Sequence, residues 1–221
     1  MKKIKNGLFI TIEGGEGSGK TTLAKNLYEK YKKEDFDVIL TREPGGNEIA
    51  EQIRNIIVNN DIDIKTQILL FTAARRIHCK NVILPALKDN KMVICDRYIT
   101  SSLVYQGLVG GLSIEEIMRL QKLAIYDNGV GVIPDVEFIL DVNAKKGLER
   151  IKNRTTNNIY DAKSIEYHES INNAFKNIKS IANKTHHINA NLDESFVLTQ
   201  VSYHIDDIID EHSYEKVIYN D

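Results

Sequence analysis

One run of eight residues constrains this 221-residue chain more than any other: Gly14-Gly15-Glu16-Gly17-Ser18-Gly19-Lys20-Thr21. It fits the spacing G-x-x-x-x-G-K-[ST], and it stands where that spacing has physical meaning. An apolar run, Leu8 to Glu13, precedes it, and an amphipathic segment from Lys20 to about Lys33 follows, with Leu23, Leu27 and Tyr31 at i, i+4 and i+8. Glycines let successive backbone N–H groups turn inward onto phosphate oxygens, and the following helix N-terminus adds partial positive charge. Lys20 can then reach the β- and γ-phosphates of a nucleotide, and the Thr21 hydroxyl can ligate Mg²⁺. The expected consequence is an ATP-type triphosphate site built from Gly14, Gly15, Glu16, Gly17, Ser18, Gly19, Lys20, Thr21 and Thr22. No G-x-G-x-x-G register fits, which argues against dinucleotide binding, and the absence of D-x-x-G and N-K-x-D argues against a signalling GTPase.

Around this loop, short β-type runs alternate with helical periodicity. Strands are expected at Leu8 to Glu13, Val38 to Thr41, Met92 to Cys95, Val136 to Val142 and His187 to Asn189. Helices are expected at Lys20 to Lys33, Asn47 to Val58, Thr66 to Leu87, Ser113 to Tyr126, Ala144 to Arg154 and Ser164 to Lys184, with a last amphipathic one carrying Val197, Val201, Ile205, Ile208 and Ile209. Such alternation implies a mainly parallel sheet covered on both faces. The fold class is therefore α/β: a three-layer P-loop NTPase fold with a five-stranded sheet and a small lid. One domain spans 1–221, with the lid at about 150–163, where Thr155-Thr156-Asn157-Asn158 reads as a mobile loop and the tail from His212 as frayed.

Composition narrows the partners. Twenty-nine Lys and Arg against 31 Asp and Glu leave a net charge of -2, which argues against nucleic acid or a polybasic membrane contact. Cys79 and Cys95 lack metal-ligand spacing and read as buried thiols in a reducing compartment. No stretch approaches the ~18 apolar residues of a membrane span, and the run after Lys2, Lys3 and Lys5 enters glycines without a cleavage site. A cytoplasmic protein is expected.

Two further strings lie at predicted strand ends, on the rim that the phosphate loop shares. In Thr41-Arg42-Glu43-Pro44-Gly45-Gly46, Arg42 is a bidentate clamp for a second phosphate. In Asp96-Arg97-Tyr98, the carboxylate suits Mg²⁺, directly or through water, and Arg97 adds positive charge. Ser102, Tyr105 and Gln106 share a face if helical, as do Phe71 and Arg75, a ring and a planar donor able to stack on and hydrogen-bond a base.

In this order, Thr41 to Gly46, Ala73-Ala74-Arg75 and Asp96-Arg97-Tyr98 through Tyr105-Gln106-Gly107 resemble the thymidylate kinases, over roughly Gly7 to Phe175. The resemblance implies transfer of a phosphoryl group from ATP to dTMP, with Mg²⁺, in a homodimer. Under it, Arg42 and Arg97 hold the dTMP phosphate, Arg75 donates to a thymine carbonyl, Gln106 contacts the base edge and Phe71 stacks on the ring. Tyr105 lies against the deoxyribose, Glu16 contacts the 3′-hydroxyl, and Arg54 lies near the substrate with Ser102. Ile68, Leu69 and Ile77 could supply the dimer face or belong to the core.

The lid departs from the family pattern. The phosphate loop has no arginine among Gly15 to Ser18, so the catalytic cation is expected from the lid, from Arg150 or Arg154, the latter favoured. The arginine usual before the position of Asp161 is missing, since that stretch reads Asn157-Asn158-Ile159-Tyr160. The alternatives are a kinase for another deoxynucleotide or deoxynucleoside, with Glu43 as base for a hydroxyl, and a nucleotide-binding regulatory protein without transfer.

Overall fold

A computed structural model describes residues 1–152 and 159–218, the last seven of these as helix backbone only. Five parallel strands form the central sheet in the order β2–β3–β1–β6–β7, where β1 is Leu8–Gly14, β2 Val38–Arg42, β3 Met92–Asp96, β6 Val136–Asp141 and β7 Lys184–Asn189. The register aligns Ile12 and Arg42 with Asp96, and Gly14 with Leu140. The ends of β1, β2 and β3 therefore lie on one rim, as strand–helix alternation requires.

Both sheet faces are covered. The period of two sends Leu8, Ile10 and Ile12 of β1 to one core, where they meet Leu23, Leu27 and Tyr31 of α1 (Lys20–Lys33) and Val201 and Ile205 of α9 (Glu194–Ile218). Phe9, Val93 and Cys95 face the other core with Ile83, Tyr98, Leu103 and Ile117. A side chain such as Leu27, wholly removed from water, contributes about 1.5–3 kcal/mol, so the motif-bearing strand and helix are fixed from behind by burial. Both cysteines are buried and unbridged.

Helix α2 (Glu48–Asn59) begins at Asn47, whose side chain accepts from Ala50 N–H at 3.0 Å. The long apolar pattern expected over Thr66 to Leu87 is α3 (Ile64–His78), a wider π turn at Cys79–Ile83, and α4 (Leu84–Lys88). Likewise α5 (Ile99–Ser102) passes into a π turn at Leu103–Val109, ahead of α6 (Ile114–Ile125). Two expectations are corrected. The helix from Ser164 ends at Asn177 as α8 (Ile165–Asn177), because Ile178 turns to extended backbone and joins Ile181 against the second core, and β7 begins at Lys184. The expected helix over Ala144 to Arg154 is present as far as it is described, as α7 (Ala144–Lys152), and Asn153 and Arg154 lie outside the described residues.

A two-stranded hairpin, β4 (Tyr126–Asp127) with β5 (Val130–Gly131), also escaped the periodicity. Its Asn128-Gly129 corner, with φ of 49° and 83°, is the turn that such a dipeptide favours. Arg154 and the Thr155-Thr156-Asn157-Asn158 loop lie outside the described residues, as do the last residues of the tail.

Candidate active site

The phosphate loop turns between β1 and α1 as its spacing predicts. Gly17 has a left-handed φ of +69°, and a Cβ there would fall 2.1 Å from the carbonyl oxygen of Gly147 in α7, so no other residue fits. The buried Lys20 ammonium donates to the Gly15 carbonyl at 2.6 Å and the Ser18 hydroxyl at 3.1 Å. Burial lowers its pKa to about 8, Arg97 adding to the shift, while Glu16, Asp96 and Glu13 oppose it. Thr21 donates its hydroxyl to Asp96 at 2.5 Å, which brings the two expected Mg²⁺ ligands together.

Arg97 reaches the loop through an unusual backbone. Its φ is +73°, a sparsely populated region for a residue with a Cβ. Its N–H bonds the Ile12 carbonyl at 2.9 Å, and its guanidinium bonds the Gly14 carbonyl at 3.0 Å, Ser101 at 3.1 Å and Glu16 at 2.7 Å. Its carboxylate partner is thus Glu16 across the cleft. Tyr105 donates to the same Glu16 oxygen at 2.9 Å and lies beneath the guanidinium, 5.3 Å from ring centre to carbon. Behind them the buried Glu13 accepts from Tyr98 N–H (2.7 Å), Ser101 N–H (3.1 Å) and the Ser101 hydroxyl (2.6 Å). Burial raises its pKa against the lowering pull of Arg97 and these donors.

Across the cleft, Arg42 pairs with Glu51 through Nε (3.2 Å) and a terminal nitrogen (2.8 Å), and Arg54 donates to the Pro44 carbonyl at 3.1 Å. Glu51 is also tied to Gly46 N–H at 3.1 Å. Phe71 and Arg75 share one face of α3 and line the same pocket as Ser102, Tyr105 and Gln106. Arg75 is buried, with Nε on Glu43 at 2.6 Å, and it also donates to Ser102 (3.2 Å), Gln121 and the Tyr98 carbonyl (3.0 Å).

Every expected substrate-facing residue, from Glu16 and Arg42 to Gln106, lines this one pocket with Lys20, Thr21 and Asp96. Arg150 does not. It donates to the Gly17 carbonyl (3.2 Å) and the Ala190 carbonyl (3.0 Å), which braces the loop from behind. Thr22 is exposed at the start of α1. The glycine pair Gly17–Gly147, the anchor Glu13 and the lining residue Tyr160 were not singled out from sequence, and only the strand-end position of Glu13 could have flagged any of them.

The thymidylate kinase family model matches residues 12–201. The chain belongs to the thymidylate kinase family. It is 43% identical over 195 residues to the thymidylate kinase of Clostridium novyi (strain NT), covering 85% of this chain and 93% of that protein. To the thymidylate kinase of Staphylococcus haemolyticus (strain JCSC1435) it is 40% identical over 212 residues, covering 95% and 97%. Among solved structures, that of thymidylate kinase from Ehrlichia chaffeensis superposes with a TM-score of 0.70 at 32% identity, covering 90% of this chain and 98% of that one. As a thymidylate kinase family member the enzyme is an ATP-dependent phosphotransferase that phosphorylates dTMP in nucleotide biosynthesis. Among its described residues no helix is long and apolar enough to cross a membrane.

Proposed function

We propose that dTMP binds with its phosphate between Arg42 and Arg97 and its base between Phe71 and Arg75, facing ATP held by Gly14 to Thr22. The observation that carries this reading is the single pocket that joins the Lys20–Thr21–Asp96 end to the Phe71–Arg75–Ser102 end. A phosphate monoester has its second pKa near 6, so the dTMP oxygen is already an anionic nucleophile at pH 7 and needs no base. What opposes transfer is repulsion between two polyanions. Lys20, Arg42 and Arg97 offset it by holding both reactants in line and stabilising the transferring charge.

Glu43 is poorly suited to the rival role of base in a nucleoside kinase. It is locked to Arg75 and to His78 at 2.9 Å, and although burial alone would raise its pKa, these partners hold it below the usual value. Thr21 and Asp96 offer two hard oxygen donors side by side, and no cluster of three or more His, Cys, Asp or Glu ligands exists among the described residues. That sparse set fits Mg²⁺, which completes its shell with water and phosphate oxygens and would neutralise charge on the triphosphate.

Tyr105 lies against the sugar and Gln106 against the base edge, with Glu16 reaching the 3′-hydroxyl. Of the two lid candidates, Arg150 bonds the loop backbone and Arg154 is the favoured lid cation. Tyr160, in the lid segment at about 150–163, bonds Gln67 of α3 at 3.2 Å through its hydroxyl, and the chain acts as one cytoplasmic domain that includes this lid. A homodimer is supported by exposed Leu69 on α3 and Leu123 on α6, whereas Ile68 is core.

An ADP-release assay over dTMP, dUMP, dCMP, dGMP, AMP and thymidine tests the acceptor. The highest kcat/KM belongs to dTMP, and equal rates with dCMP or AMP would remove the base-reading role. Modest dUMP turnover is expected, since one missing methyl is worth only about 1–3 kcal/mol.

A further inference from the structure

Gln121 stands on α6, fully buried, and does not line the substrate pocket. Its side chain nevertheless meets the group that faces the base. Its Oε1 accepts from Arg75, and its Nε2 donates to the Thr72 hydroxyl at 3.2 Å. Thr72 spends its only hydroxyl proton on the Ile68 carbonyl, at 2.7 Å, so toward Gln121 it can only accept. The amide is therefore oriented by chemistry: nitrogen toward Thr72, oxygen toward Arg75.

Arg75 has five N–H groups. Among the described residues, Glu43, Ser102, Gln121 and the Tyr98 carbonyl take four of them. Glu43 holds the Nε edge of the guanidinium plane, Gln121 and Ser102 hold one terminal nitrogen, and the second terminal nitrogen keeps one N–H for the pocket that Arg75 lines. Without Gln121, Glu43, Ser102 and the Tyr98 carbonyl would hold one N–H on each of the three nitrogens, with the Tyr98 ring 5.2 Å from the guanidinium carbon; Gln121 is the second anchor on the nitrogen that Ser102 holds. An acceptor buried on the side away from the pocket fixes its tilt.

We propose that Gln121 is a positioning residue for base discrimination, aiming the free N–H of Arg75 at a ring carbonyl that thymine has where cytosine carries an amino group. The inference rests on the reading of Arg75 as the group facing the base. Steady-state kinetics of Gln121→Leu, Gln121→Glu and Thr72→Val, with dTMP, dCMP and ATP varied in turn, test it.

Gln121→Leu should raise KM for dTMP about tenfold and cut the dTMP/dCMP ratio of kcat/KM by a similar factor, the loss expected when a bond to a charged donor is removed. KM for ATP should stay within about twofold of wild type. Gln121→Glu keeps an acceptor facing Arg75 and should restore the dTMP/dCMP ratio to near the wild-type value. Thr72→Val frees the amide to turn its nitrogen toward Arg75 and should shift the ratio in the same direction, by less. A folded Gln121→Leu enzyme with an unchanged ratio would overturn the proposal, and if that variant does not fold, an unchanged ratio in Thr72→Val overturns it instead. A wild-type enzyme that prefers neither dTMP nor dCMP would sink the reading of Arg75 itself, a result distinct from either variant outcome.

Discussion

Glu43→Gln is the substitution for which the structure sets the sharpest number. Glu43 and Arg75 pair at 2.6 Å with both side chains almost wholly removed from water, and His78 donates to the other carboxylate oxygen. With Nδ1 of His78 spent on Glu43, Nε2 is left to accept from Thr41, at 2.6 Å, so the whole network hangs from one negative charge. Removing that charge leaves Arg75 buried without its anion, which costs about 3–5 kcal/mol. That is a large share of the ~5–15 kcal/mol that holds a domain together. For a domain near this size each kcal/mol moves Tm by about 2–4 °C, so a fall of roughly 6–20 °C is expected at pH 7. Breaking the exposed Arg119–Glu115 pair, with side chains 74% and 75% accessible, should cost only about 0.3–0.5 kcal/mol and serves as the control.

The same pair predicts a pH dependence. Burial would raise the Glu43 pKa, yet Arg75 and His78 hold it below 4.5, so its stabilisation is present above that value and is lost as pH falls through the folded-state pKa. The gap in Tm between wild type and Glu43→Gln should therefore narrow below about pH 4.5. Thermal unfolding followed by circular dichroism measures both effects. A variant within 2 °C of wild type at pH 7 would refute the ion-pair account, as would a gap that stays constant into acid.

Three further outcomes are expected. Lys20→Ala should fold normally but lose about 10²–10³-fold in kcat; because the free ammonium titrates at about 8, wild-type kcat/KM for ATP should fall above pH 8, read from initial rates across pH 6–10. Glu137 lies buried behind the loop against Thr100 (2.8 Å) and Thr11 (3.4 Å), and burial with the nearby Glu13 raises its pKa to about 8. A raised carboxyl stabilises the fold below the unfolded value of 4.5 and loses that contribution as pH rises through about 8, so Glu137→Gln should raise Tm at pH 8 by more than at pH 5; an equal change at both would reject the buried, protonated carboxyl.

The site's two ends were legible from sequence because each is local. Phosphate-loop spacing needs only eight consecutive residues, and strand-end arginines follow from the rim that a parallel sheet creates. What escaped depends on partners far along the chain. Glu13 bonds Tyr98 across 85 positions, and Gly17 requires a glycine in α7 that no spacing rule connects to it. Arg97 was legible as a cation on the rim, but not the positive φ with which it reaches Glu16. Arg75 was legible as a donor on the base-facing side of a helix, yet not as a residue that spends four of its N–H groups on the protein. Helix α8 was overextended because its apolar period continues through Ile178 and Ile181 after the backbone has left the helix.

The cleft's cations fall into two kinds, and the carboxylate beside each one decides which. Unpaired, they would repel each other: Arg97 lowers the Lys20 pKa, and Arg42 adds to the burial that lowers that of Arg54. Glu43 is buried with Arg75, so separating them is expensive and Arg75 acts as a fixed part of the wall. Arg42 and Glu51 are 52% and 35% exposed, where a pair is worth about 0–1 kcal/mol, so an arriving phosphate can displace the carboxylate at little cost. Glu51→Gln removes the competing charge while keeping an oxygen for Gly46 N–H. It should bind dTMP at least as tightly as wild type by calorimetry, whereas Glu43→Gln should bind it more weakly. Weaker dTMP binding by Glu51→Gln would show that Arg42 needs its carboxylate for aim, and the division of the cations into exchangeable and fixed would fail.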